Sequence, residues 1–469
     1  MKYSSAKRTE KHLNNLKEYA IISYAVMQRK NTFFMPLKNV HNDKNQRKTG
    51  EDILKKRTVK ILSIILAVML TCTTLLSCTP DTPDGDAGGI ILQKDLMQGF
   101  SAQVIAERLP DETYYSMLRM IASASVLKTL SGKSNSAITP LTSLRGISLA
   151  ANGLSDKTQN EILHVLGDLK IAALNEYNAT YAHILKKDTG AEVFSSFRLG
   201  MGKSCFVPDN EYLQMNANYY GAEGYILSFA QSDVNALVKE WINSKIGIND
   251  VAFDGRCTDT TASLIVDAFS LTGSFETGFS GKESAVFYTP DKEKEVSFLV
   301  SGETLFASTS KSTGFAKELE NGLTFIALLP KSGETLDTLI QSLDAETLKA
   351  CYGGITEKNE FGVKIPEFSF SCVTDCAPAL KSLGMKSVFE KSAVAENEKT
   401  EFTVEKMFDV TAVRLTENGF TTSSALPAAP ESTATPTEGV SFSVFDRPFV
   451  FIVFDTTGVP LTVGTVVDP

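Results

Sequence analysis

Apolar residues recur at helical spacing in the first part of this chain and at strand spacing in the rest, and this order restricts the fold more than any other feature. "DETYYSMLRMIASASVLKTL" (111–130), "PLTSLRGISLAANGL" (140–154) and "KTQNEILHVLG" (157–167) carry apolar side chains at helix-face intervals, as does "SDVNALVKEWINSKIG" (232–247) with the single tryptophan, Trp241. Strand-like runs follow: "TASLIVDAFSLTGSF" (261–275), "AVFYTP", "LTFIALLP", "VKIPEFSFSCV", "PFVFIVFDTTG" and "PLTVGTVVD". Helices gathered ahead of strands predict an α+β fold rather than alternating βαβ units.

The N-terminus has a different character. Residues 1–50 are polar and basic, and are read as a non-structural extension that an upstream start codon would explain. In residues 51–77, Lys55, Lys56, Arg57 and Lys60 precede an apolar run from Ile61 to Leu76. A basic region, a short apolar core and a small residue together make a secretory signal. Its ending, Leu75, Leu76, Ser77, Cys78, resembles a bacterial lipobox, which implies lipidation at Cys78 and a chain held on the extracellular face of the cell membrane. A plain cleaved signal, with a secreted product, and a membrane anchor are the alternatives, although Thr71, Thr73 and Thr74 interrupt the span an anchor needs. Residues 78–91, "CTPDTPDGDAGGII", are expected to form a flexible tether, and 92–469 the folded domain.

Charge excludes one class of partner. Residues 1–77 carry 15 Lys and Arg against 5 Asp and Glu, which leaves 31 against 50 and a net charge of −19 for the remainder. So acidic a body argues against nucleic acid, whose binding rests on cations that neutralise phosphates. The cysteines beyond Cys78 (Cys205, Cys257, Cys351, Cys372 and Cys376) have no metal-ligand spacing. If they lay on a helix, Cys372 and Cys376 would share one face, but they read as buried thiols, and no metal or other cofactor is expected. Only His164 and His183 follow Cys78, with no GxSxG elbow and no phosphate-binding glycine loop, so the chain is not read as an enzyme. His164, among Ile162, Leu163, Val165 and Leu166, is expected to be a structural histidine on a helix packed into the core.

One segment fits neither periodicity. "TENGFTTSSALPAAPESTATPTEGVSF" (416–442) is nearly devoid of bulky side chains. It cannot bury enough apolar surface to offset its ordering entropy, so by itself it is an exposed, mobile loop between two apolar strands.

Seven segments, in order, resemble the serpin family. In "NSAITPLTSLRGISLAANGLSDKT", Asn135, Pro140, Gly153 and Thr158 stand at the family spacing, with Thr139 and Thr142 in place of serines and with Leu166 and Gly167 closing the next helix. "EWINSKIG" around Trp241 is similar to a serpin helix. "LIVDAFSLTGSF" is similar to a serpin strand, with Asp267 for an asparagine and Phe275 for a tryptophan. "LTFIALLPK" (through Leu329, Pro330 and Lys331), "VKIPEFSF" and "LKSLGMKSVF" (through Leu383, Gly384, Met385 and Phe389) continue the match. "VFDRPFVFIVFDTTGVPLTVGTVVDP" closes it through Asp446, Arg447, Pro448, Phe449, Phe451, Gly464, Val466 and Pro469.

The resemblance implies the serpin fold, with three β-sheets, about nine helices and an exposed reactive-centre loop at 417–441. It also implies a monomer whose partner is a serine protease. That protease cleaves the loop, is held as a covalent acyl-enzyme, and is trapped when the loop inserts into a sheet; strand insertion and stored strain of this kind are known serpin behaviour. Glu417 and Gly419 match the family's hinge, and Thr421, Thr422, Ser423, Ser424 and Ala425 its run of small residues. Phe420 stands where the family places Thr or Ser, and alternation makes it the first side chain to enter the sheet, ahead of Thr422, Ser424, Leu426 and Ala428; it therefore needs a matching pocket or a shifted register. Pro427 and Pro430 each forgo a ladder hydrogen bond, about 1 kcal/mol apiece. Asp409, Val410 and Thr411 replace the family's HKA. Counting sixteen residues from Glu417 puts the reactive bond at Thr433 and Ala434, and counting back from Pro448 puts it near Thr437 and Glu438. Residues 431–437 hold no Lys, Arg, Phe, Tyr or Leu, which suits elastase-like or subtilisin-like proteases. A non-inhibitory serpin and a surface ligand-binding lipoprotein are the alternatives.

Overall fold

The computed structural model describes residues 93–469 apart from 201–207, 230–232, 249–250, 252, 255–256, 259–260, 391–402, 424–432 and 435–438, with the backbone alone at 433–434. The extension 1–50, the signal 51–77, Cys78 and the tether 78–91 lie outside the described residues.

Nine α-helices and three sheets of eight, nine and two strands are formed among the described residues. The four helical patterns of the sequence become Glu112–Thr129, Pro140–Ala151, Asp156–Val165 and Val234–Ile246. Asp111 caps the first of these, its side chain accepting from the Thr113 and Tyr114 N–H groups. Pro140 opens the second, where a missing N–H costs nothing. His164 departs from expectation. Ile162, Leu163 and Leu166 are buried, but His164 points the other way, its side chain 79% exposed and its Nδ1 2.8 Å from Asp168. At about 100° per residue, a position two away from both Ile162 and Leu166 falls on the opposite face.

The eight-stranded sheet is built around a parallel seam. Ser263–Ser270 runs beside Lys406–Leu415 from Lys406↔Leu264 to Val410↔Ala268. Glu192–Gly200, Glu223–Leu227 and Gln93–Asp95 extend the sheet on one side, and Phe368–Asp375 pairs with Lys406–Leu415. The seam strands are buried on both faces, so they read in sequence as near-continuous apolar runs such as "LIV" and "MF". Beneath them lies Pro140–Ala151, every residue of which is buried. Gly146 permits that contact: a Cβ there would lie 2.4 Å from Asp267 Oδ2 and 2.5 Å from Met407 Cε.

The nine-stranded sheet is threaded by Glu293–Ser308, a 16-residue strand that pairs with Gly281–Tyr288, Thr356–Pro366 and Ser312–Glu318. It continues through Thr324–Pro330 to the hairpin of Phe449–Phe454 and Pro460–Val466, in which all thirteen residues are buried. Aromatic side chains fill the space between the two large sheets.

Candidate functional site

The seam is not closed along its whole length. Past Ala268 the chain continues through Leu271 into the short strand Thr272–Ser274, while Lys406–Leu415 runs on to Leu415. Between these two ends lies a third strand, Gly419–Thr421, antiparallel to both: Arg414↔Thr421 and Leu415↔Phe420 on one side, Gly419↔Ser274 and Phe420↔Gly273 on the other. The start of the small-residue segment is therefore already a central strand of the large sheet.

Its seating is specific. A tight reversal after Leu415 is closed by the Thr416 N–H donating to the Gly419 carbonyl at 3.0 Å. The Phe279 N–H donates to the Glu417 carbonyl and the Phe275 N–H to the Asn418 carbonyl, each at 2.9 Å. The Glu417 carboxylate is 3.4 Å from Lys282 Nζ, which also meets Glu367 at 3.1 Å; these groups are partly exposed, so the pair contributes little. Gly419 is not among the residues with positive φ, so the backbone freedom expected of a hinge glycine is unused in this state.

Phe420 finds the pocket that its size demands. It is fully buried, with ring centroids 5.6 Å from Phe325 and 5.7 Å from Phe451. Thr421 and Thr422 are also fully buried. Thr421 Oγ1 donates to the Leu271 carbonyl at 2.9 Å, the Thr422 N–H donates to the same carbonyl at 2.7 Å, and Thr422 Oγ1 donates to the Phe269 carbonyl at 3.2 Å. The expectation of an exposed loop thus does not extend to residues 419–422: ladder bonds and one aromatic anchor offset the entropy that composition alone could not.

Downstream, Ser424, Ala425, Leu426, Pro427, Ala428 and Pro430 lie outside the described residues. Thr433 and Ala434 form a two-residue strand whose backbone pairs in parallel with Gly278 and Phe279. Thr437 and Glu438 are outside the described residues. Further on, Phe442–Val444 runs parallel to Thr356–Pro366 with Gly362 opposite Phe442.

Below the seam lies a polar cluster whose pairing the sequence did not reveal. Asp267 and Asp409 are opposite each other in the ladder and only 1% and 2% exposed. Asp409 Oδ2 accepts from the Thr139 N–H and from Thr411 Oγ1, both at 2.9 Å. Among the described residues neither Asp267 oxygen finds a hydrogen-bond partner of good geometry. Burial pushes the Asp267 carboxyl up to about 8, against the nearby Ser195 hydroxyl and Arg145 cation and with the Asp409 charge adding to it; burial pushes Asp409 to about 6. Cys372 lies on Phe368–Asp375 and Cys376 at the start of the next helix, so they do not share a helix face. Burial raises both thiols, Cys372 to about 12.

Comparison with known proteins agrees with this geometry. The family model described as "Serpin (serine protease inhibitor)" matches residues 118–469. Rat neuroserpin is 23% identical over 399 residues, covering 78% of this chain and 93% of its own. Among solved structures, the thermophilic serpin tengpin in its native state aligns with a TM-score of 0.70 at 21% identity, over 80% of this chain and 100% of that one. Its latent state aligns with a TM-score of 0.64, again at 21% identity, over 77% and 100%.

Proposed function

The chain belongs to the serpin family, and on that premise we propose that it inhibits serine proteases as a suicide substrate. The observation that carries the proposal is the seating of residues 419–422 at the open end of the parallel seam. Strand insertion needs a place to begin, and here its first ladder bonds are already made, so further insertion extends a strand rather than nucleating one.

The chemistry is that of an interrupted hydrolysis. The protease's serine oxygen attacks the carbonyl carbon of Thr433, the bond to the Ala434 nitrogen breaks, and that nitrogen leaves as an amine while an ester joins Thr433 to the protease. Water would next release the protease. Before it does, residues from Ser423 onward follow Thr422 into the seam, pull the ester-linked protease along the sheet and distort its active site. The outcome is a race between insertion and deacylation. Small side chains at Thr433 and Ala434 favour an elastase-like or subtilisin-like enzyme, and lipidation at Cys78 would hold a monomeric inhibitor on the outer face of a bacterial membrane.

Incubation with elastase, subtilisin and trypsin, followed by denaturing electrophoresis, tests this reading. Expected are complexes stable to SDS with elastase or subtilisin, and a melting temperature that rises once the loop is cut. Complex with trypsin alone would overturn the specificity. Cleavage by all three with neither complex nor stabilisation would mark a non-inhibitory serpin.

A further inference from the structure

Insertion beyond Thr422 has to separate Ser263–Ser270 from Lys406–Leu415, and the residues that meet at the middle of that seam are two acids. Asp409 is paired with Asp267, flanked by Phe408↔Val266 and Val410↔Ala268. Both carboxyls face Pro140–Ala151: the N–H of its N-cap, Thr139, donates to Asp409, and Gly146 leaves the space that Asp267 fills.

Among the described residues no cation makes an ion pair with either acid. From the helix, Arg145 is the only charged side chain near them, and its two terminal nitrogens donate to the Asn178 and Tyr220 carbonyls, each at 3.0 Å. From Phe368–Asp375 and the turn after it come the thiols of Cys372 and Cys376, both held neutral by burial. From Glu192–Gly200 comes only the Ser195 hydroxyl, opposite Asp267 in the ladder. Among the described residues, Asp267 Oδ1 and Oδ2 and Asp409 Oδ1 have no hydrogen-bond partner of good geometry. Two buried carboxyls this close cannot both ionise without mutual repulsion and uncompensated desolvation.

We propose that Asp267 and Asp409 form a proton-operated latch on the seam: while the pair holds a proton the two strands stay closed, and its loss drives them apart and eases entry of the loop. The direction follows from linkage. In the closed sheet both carboxyls are raised above the ordinary Asp value, to about 8 and about 6. Separating the strands lets water reach them and returns them toward that value. The closed form therefore binds more protons, its stability is fully present at acid pH, and it falls as pH rises through about 6 to about 8.

The latch rests on the insertion reading, so the test separates the two. A synthetic peptide of residues 416–429 is offered to the full-length protein at pH 5.5 and 8.5 and its uptake timed, with melting temperature recorded in the same samples. Wild type is expected to take up the peptide about tenfold faster or more at pH 8.5, one pKa unit being a tenfold effect, and to melt lower there. Asp267→Asn, which restores the asparagine of the family pattern, and Asp409→Asn should each flatten both profiles. Equal pH dependence in wild type and both variants would overturn the latch. No uptake at any pH, with a melting temperature that still falls in wild type and not in Asp267→Asn, would overturn the insertion reading and leave the proton-linked seam standing.

Discussion

Thr422→Arg is expected to turn the inhibitor into a plain substrate. Thr422 is fully buried, with its N–H and Oγ1 both donating to the strand it lies beside, through the Leu271 and Phe269 carbonyls. An arginine there must either bring a guanidinium into the sheet or keep the segment out of it. The first course costs several kcal/mol, and the second removes the rung from which insertion has to continue. The substitution leaves the bond between Thr433 and Ala434 itself unchanged, so acylation is expected to continue while the following insertion step slows. With about 1.4 kcal/mol per factor of ten, the yield of SDS-stable complex per cleavage should fall about 100-fold or more. Thr422→Ser, which keeps the hydroxyl, should stay close to wild type. Densitometry of complex against cleaved product gives the ratio; an unchanged ratio in Thr422→Arg would mean that this strand is not the one that inserts.

The parts of this design differ in how far the sequence reveals them. Helices such as Glu112–Thr129 and Pro140–Ala151 announce themselves because their periodicity is local, and the buried C-terminal hairpin does so because its apolar run is unbroken. Glu293–Ser308 is harder to see. Its start, "EKEVS", alternates exposed and half-buried side chains and carries charge, so it looks like a solvated edge. His164 misled because its apolar neighbours are adjacent in sequence but not on its side of the helix. The segment at 416–442 was legible as an object but not in its state. Composition says that it cannot order itself, and only the open end of a seam made by strands whose paired residues, such as Lys406 and Leu264, stand 142 positions apart in sequence supplies the ladder that orders residues 419–422. The meeting of Asp267 and Asp409 depends on the same non-local register; each acid could be noticed as a departure from the family pattern, but not that the two departures face each other.

Phe420→Ala separates anchoring from insertion. The Phe420 ring is fully buried between Phe325, on Thr324–Pro330, and Phe451, on Phe449–Phe454, and those two rings stack at 6.4 Å. Thus the first inserted side chain of one sheet fills a slot made by two strands of the other. Truncation to alanine removes that contact and leaves a cavity that the paired strands cannot easily collapse, a change that costs about 3–5 kcal/mol for a buried phenylalanine. The cost falls on the uncleaved and the loop-inserted forms alike, because Phe420 is already in its seat before cleavage and stays at the head of the inserting strand afterwards. The midpoints of urea unfolding of the intact and the cleaved protein should therefore both drop, while the free-energy difference that drives insertion, and with it the yield of complex, changes far less than in Thr422→Arg. A drop confined to the cleaved form would mean that the ring enters its slot only on insertion, and an unchanged midpoint in both would mean that the aromatic contact carries no stability.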